Sequence, residues 1–529
     1  MANDAPRSDS AAAAAASKTN NNAKPNTDTG DRPDAELVVN DDLVTTHHTF
    51  SYPGGSLPYT ATAGRIVLRE EVITDGTFDG HQPKAEMFVV SYTADDADPA
   101  TRPVTFCFNG GPGSSSVWLH MGLIGPKRVL AGDAEDPVPP PYQLVDNPES
   151  LLAVTDLVFI DPMSTGFTRP VKGGKPETYH GFTADRDAVA EMIRLWTTRN
   201  NRWLSPKFLA GESYGTLRAA ALAGRLADRH GMNLNGLMLI SAVLDMGSIR
   251  FTPNNDDPYV GFLPTYAAIA HYHGKHGRRS LEAVVDEARE LAERDYPWAL
   301  ARGNRLTDSE RADIVRRVAA ATGLSEDYVD RANLRIEHQH FYAELLRDKG
   351  LAVGRLDGRF SGAPADKNAA TIADDVSYRG FQGPYTAAVN HYLRSDLNYQ
   401  SDLPYEILTD RVHPWSYKEF EGRGVSVIGD LDAAWRINPF LRVHVSCGWY
   451  DGATPFAAAE NGFATMDLTP QARENLSYDY YPAGHMMYLH EPSRLQQSAD
   501  LAEFIEAAGP GTEPTGKRSR RSGRKRSSR

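Results

Sequence analysis

The 529-residue sequence predicts an α/β fold: a mostly parallel central sheet with helices on both faces and a helical cap insertion. Three observations predict it. Compact apolar runs alternate with helical segments between about residues 100 and 245. That alternation gives way to charged amphipathic helices from about 250 to 375. It then resumes before a closing helix. At 41% hydrophobic and 24% charged residues, the composition is that of a globular protein.

Residues 1–44 are rich in Ala, Asn, Asp, Thr and Pro, too poor in large apolar residues to order themselves, and are expected to form a disordered tail. The α/β core is expected over 45–250 and 376–508, the cap over 251–375, and a basic disordered tail over 509–529. ATAGRIVLREEVI and AEMFVVSYTA alternate as antiparallel strands do. PVTFCF and LLAVTDLVFI are compact enough for buried strands. In FTADRDAVAEMIRLWTTRN, Val189, Met192, Ile193 and Trp196 recur at helical spacing. KFLAGES is a short strand, TLRAAALAGRLADRHG a helix stopped by Gly231, and LNGLMLISAVL another buried strand. LRVHVSCGWYDG and LSYDYYPAGH are late strands, and SADLAEFIEAAG closes the chain's ordered part.

The two cysteines, Cys107 and Cys447, lie in apolar runs and read as buried free thiols. No apolar run approaches the roughly 20 residues a membrane span needs. The start of the chain lacks a basic residue cluster followed by a Leu-rich stretch, so a cytoplasmic location is expected. The last fifteen residues hold eight Lys or Arg and no acid, against a net charge of −13 for the whole chain. This tail reads as solvated, with weak contacts to anionic partners as its further use.

Gly211-Glu212-Ser213-Tyr214-Gly215 fits G-x-S-x-G between a strand and a helix. That context makes it a nucleophile elbow of the α/β-hydrolase fold, which needs small residues two before and two after the serine. A serine hydroxyl requires a base, and the base an orienting acid. The expected chain order is Ser, acid, His, each after a later strand. Asp451 and His485 meet it. Asp430 and Asp432 are rival acids, but GDLDAAW reads as an exposed loop. His271, His273 and His276 are near enough for a metal, yet no Cys or paired acid accompanies them, and a surface or cap-helix role is expected. The backbone N–H of Tyr214 is one oxyanion donor, and the loop Asn109-Gly110-Gly111-Pro112-Gly113-Ser114-Ser115-Ser116 is placed to supply the other.

With NGGPGSSS, DNPESLLAVTDLVFIDPMSTGFT, GESYG and AGHM in this order, the sequence resembles the serine carboxypeptidases of the carboxypeptidase Y type. The resemblance implies an α/β-hydrolase fold and removal of C-terminal residues from peptides through an acyl-enzyme, without metal or cofactor. It implies a triad of Ser213, Asp451 and His485. It gives Gly111 and Tyr214 the oxyanion N–H groups. Asn109, Gly110 and Glu212 would bind the peptide's free carboxylate. The sequence departs from the family in having Ser114 where a cysteine is usual, Cys107 where a tryptophan is usual, and Leu123 where a second carboxylate-binding Glu is often found. An esterase or acyltransferase on the same scaffold, and a non-catalytic binding protein anchored by the basic tail, are the rival readings. Glu212 is expected to work protonated, because a neutral carboxyl can donate to a substrate carboxylate and an ionised one cannot.

Overall fold

A computed structural model describes residues 39–134 and 136–509. Most of the expected N-terminal tail and the basic C-terminal tail lie outside these residues. The strand β1 (Asp42–Tyr52) starts inside the last residues expected to be tail. It pairs antiparallel with β2 (Gly55–Thr74), which pairs antiparallel with β3 (Thr77–Ala94). The five residues of β4 (Val104–Phe108) and of β5 (Asp156–Ile160) are all buried. β6 (Lys207–Glu212), β7 (Gly236–Ile240), β8 (Arg442–Gly448) and β9 (Leu476–Tyr481) complete the main sheet.

The order is β1-β2-β3-β5-β4-β6-β7-β8-β9, with the short strand Arg169–Pro170 added against β3. Every pairing from β5 through β4 to β9 is parallel. Parallel strands are covered on both faces, so β4, β6 and β7 show no polar alternation, only continuous burial. The strand β6, which leads into Ser213, sits between β4 and β7 within the parallel part of the sheet. With its strand–elbow–helix unit and late acid and histidine loops, this is an α/β-hydrolase fold.

Helix α1 (Phe182–Arg199) buries Val189, Met192, Ile193 and Trp196, the residues whose spacing predicts it. Helix α2 (Tyr214–His230) begins directly at the elbow and stops at Gly231, which takes the left-handed conformation at φ +61°. The insertion holds α3 (Asp257–Tyr272), α4 (Leu281–Glu293), α5 (Asp295–Arg302), α6 (Asp308–Thr322), α7 (Glu326–Arg331) and α8 (His338–Glu344). Its Phe262, Tyr266, Val318 and Phe341 belong to the same apolar cluster as Phe106, Leu209 and Leu239 of the sheet. The insertion therefore shares the sheet's core. Past residue 375 come α9 (Val376–Ser395) and α10 (Ile428–Ile437) before the sheet resumes at Arg442.

GDLDAAW lies within α10 and is not the loop its polar residues suggest. Leu431, Ala434 and Trp435 are buried at helical spacing, and Asp432 pairs with Arg436 one turn on. Cys107 and Cys447 are both free and buried. The rings of His271, His273 and His276 bond to backbone carbonyls of Arg279, Gly358 and Ala320. Among the described residues, no helix is long and apolar enough to cross a membrane.

Candidate active site

Ser213 leaves β6 at φ 60°, ψ −130°, a conformation that L-residues rarely adopt. Its own N–H is tied to the carbonyl of Ile240 at the end of β7 at 3.0 Å. A Cβ on Gly211 would meet the Gly215 carbonyl oxygen at 2.3 Å, so the turn closes only because residue 211 is glycine. The Gly-rich loop after β4 lies directly on this turn. A Cβ on Gly110 would come 2.4 Å from the backbone nitrogen of Tyr214. Gly111 has φ +102°.

Asp451 follows β8 and His485 follows β9, as their strand-end positions predict. The Asp451 carboxylate has no proton to give, so the Nδ1–H of His485 donates to its Oδ2 at 2.9 Å. The N–H groups of Ala453 and Thr454 donate to Asp451 Oδ1 at 2.8 and 2.9 Å. Burial pushes the Asp451 pKa up, but the facing His485 and these donors outweigh it and hold the group below the ordinary carboxylate range. Burial likewise disfavours a charged His485, yet Asp451 and then Glu212 overcome this and raise its pKa above 6.5. The histidine's main chain is clamped on both sides. Its N–H donates to Leu356 at 2.6 Å and its carbonyl accepts from Ser241 Oγ at 2.7 Å.

Ser213 and His485 line one cavity of about 350 Å³, together with Asn109, Gly110, Gly111 and Glu212. Among the described residues Ser213 Oγ makes no hydrogen bond to His485. Such contacts often tighten only when substrate is present.

Glu212 is 3% exposed. Asn109 Nδ2 donates to its Oε1 at 2.9 Å, and Tyr488 Oη donates to its Oε2 at 2.8 Å. Burial dominates the balance, and the Glu212 pKa rises from 4.5 to about 7. Asn109 is itself held, its Oδ1 accepting from the N–H of Leu119 and its carbonyl from Arg218 Nη1. Arg218 is locked in a buried pair with Asp185 at 2.7 Å. Leu123 is fully buried and brings no polar group to the cavity.

The structure brings together all eight sequence-predicted residues: Ser213, Asp451 and His485; Gly111 and Tyr214; Asn109, Gly110 and Glu212. Sequence reasoning missed Tyr488, three residues after His485, and Arg218, one turn into α2. It also missed Asp161, which accepts from both the N–H and the hydroxyl of Ser116 and so fixes the far end of the Gly-rich loop. Asp161 stands in the IDP of the DNPESLLAVTDLVFIDP segment, and that motif was the available signal. Tyr488 and Arg218 had none, because their partners are distant in the chain.

Residues 76–253 match the serine carboxypeptidase family. This stretch holds the Gly-rich loop, the IDP segment and the elbow. The likeness to that family is confined to this segment, about a third of the chain. Serine carboxypeptidase-like 33 of Arabidopsis thaliana is 27% identical over 176 residues, covering 33% of this chain and 34% of that protein. A carboxypeptidase Y homolog of Arthroderma benhamiae is 30% identical over 118 residues, 22% of each chain. The chain thus matches about a third or less of the length of these carboxypeptidase relatives. Among solved structures, a proline iminopeptidase of Mycobacterium smegmatis is similar over 84% of this chain and 98% of its own, with 13% identity and a TM-score of 0.34. A peroxisomal alpha-beta-hydrolase of Saccharomyces cerevisiae is similar over 90% of this chain and 93% of its own, with 9% identity and a TM-score of 0.35.

Proposed function

We propose that the protein is a serine-type carboxypeptidase. One observation carries the reading: the Asn109–Glu212 pair opens into the same cavity as Ser213 and His485. A serine hydrolase needs no carboxyl beside its nucleophile. An enzyme that recognises the free end of a peptide has a use for one that is protonated.

In this reading the terminal carboxylate accepts from Asn109 Nδ2 and from the protonated Glu212 carboxyl, with the Gly110 backbone beside them. His485 Nε2 takes the Ser213 proton as Oγ attacks the last peptide carbonyl. Asp451 keeps Nδ1 protonated and stabilises the imidazolium that forms. The N–H groups of Gly111 and Tyr214 receive the oxyanion. The tetrahedral intermediate collapses, His485 protonates the leaving amine, and the C-terminal residue departs. Water, activated by the same imidazole, then releases the acyl group from Ser213. None of these steps calls on a cofactor. The substrates are peptides with a free C-terminus.

Ser213→Ala tests the chemistry. The variant is expected to release no amino acid from a blocked dipeptide, and full activity in a purified preparation would refute the assignment. Leu123, buried where a second acid would assist carboxylate binding, favours the rival reading as an esterase or acyltransferase. That reading predicts equal turnover of substrates with free and blocked C-termini.

A further inference from the structure

The cavity contains a cation that the mechanism above does not use. Arg355 lines it beside Leu356 and His485. Its main chain is fixed: the N–H groups of Arg355 and Leu356 donate to the two oxygens of Asp375, each at 3.0 Å, and Leu356 accepts from the N–H of His485. Asp375 is occupied further by the N–H and hydroxyl of Ser377. The Arg355 guanidinium, in contrast, has no hydrogen bond, ion pair or ring contact among the described residues. Half-buried arginines elsewhere in this protein, such as Arg317 and Arg335, are paired with acids. Arg355 is also close enough for its charge to oppose protonation of His485.

We infer that Arg355 binds an acidic side chain on the residue being released, so that the enzyme favours peptides ending in Asp or Glu. The inference rests on the carboxypeptidase reading. His485 hands its proton to the leaving amine, so the departing residue lies on the His485 side of Ser213, where Arg355 stands. Its α-carboxylate is taken by Asn109 and Glu212. A second carboxylate on the same residue then finds an unpaired guanidinium, whose planar fork suits that group. Asp410 and His413 also line the cavity, but both are exposed, where solvent and salt screen their charge.

The test uses the full chain and three blocked dipeptides differing only in the last residue: Glu, Gln or Lys. Glu and Gln are nearly isosteric, so their ratio isolates the charge. A kcat/KM for Glu about tenfold or more above that for Gln is expected, as for a charge-assisted hydrogen bond. Arg355→Gln removes the preference, bringing the Glu-to-Gln ratio of kcat/KM to about one whatever its effect on His485 does to both substrates alike, while Arg355→Lys retains part of it. Equal turnover of Glu and Gln substrates by the unaltered enzyme overturns the inference alone. So does an Arg355→Gln variant that keeps the Glu-to-Gln ratio of the unaltered enzyme. Failure to turn over any of the three, with Ser213 still labelled by a fluorophosphonate, overturns it together with the carboxypeptidase reading.

Discussion

Replacing Glu212 by Gln separates recognition from chemistry. The amide keeps an acceptor for Asn109 Nδ2 and offers N–H donors in place of the carboxyl O–H, and the Tyr488 hydroxyl can turn to accept from it. In the unaltered protein the Glu212 pKa is raised from 4.5 to about 7 by burial. Under the proposed function, the protonated side chain below pH 7 donates to the substrate carboxylate, and above pH 7 the two carboxylates repel. KM for a blocked dipeptide is therefore flat in acid and about tenfold higher at pH 8 than at pH 6, because each pH unit above the pKa removes about nine-tenths of the competent form. The same shift has a stability sign. A carboxyl whose folded pKa is raised binds its proton more tightly when folded. Its contribution is thus fully present below pH 4.5 and lost as pH rises through 7. At about 1.4 kcal/mol per pH unit, the loss between those values is about 3 kcal/mol. The Gln variant escapes it. KM measured from pH 5 to 8.5 and denaturant unfolding at pH 5 and 8 check both effects. The variant should have a pH-independent KM and gain stability over the unaltered protein only at the higher pH. If KM of the variant rises through pH 7 as before, Glu212 is not the group that reads the carboxylate.

Tyr488→Phe removes a donor that favours the ionised form of Glu212, so the rise in KM should move to higher pH, seen in the same titration. Asp451→Asn should lower kcat by about 10³–10⁴ while binding persists, since His485 loses the partner that holds its tautomer. Because the His485 pKa lies above 6.5, kcat in the unaltered enzyme should fall as pH drops through that raised value. Gly110→Ala would put a methyl 2.4 Å from the Tyr214 nitrogen and should cost about 10²–10³ in kcat, the scale of losing an oxyanion donor. Arg218→Met leaves Asp185 buried without its partner and should cost about 3–5 kcal/mol, measured by denaturant unfolding.

Much of this site is legible in the sequence because its parts are local. A glycine two residues either side of Ser213, a loop of glycines after a buried strand, and an acid and a histidine each closing a late strand all follow from short-range rules. Asp430 shows where such rules stop. Its GDLDAAW reads as polar loop, yet Leu431, Ala434 and Trp435 form one buried helical face, a pattern too short to stand out by periodicity. Tyr488 and Arg355 mark the other limit. Each acquires its meaning from a partner or a cavity assembled by distant segments. The sequence places a carboxyl, Glu212, directly before Ser213. The fold supplies its neighbours: Asn109 from the loop after β4, and Tyr488 from the histidine loop.

A cavity that reads the free end of a peptide must distinguish a free C-terminus from a blocked one. A blocked dipeptide and its C-terminal amide are offered to the purified enzyme at pH 6, where Glu212 is protonated. At that pH kcat/KM for the free acid is expected to exceed that for the amide by about a hundredfold, the scale for removing a charged partner from buried donors. Equal rates on the two would contradict it, leaving a serine hydrolase indifferent to the chain end.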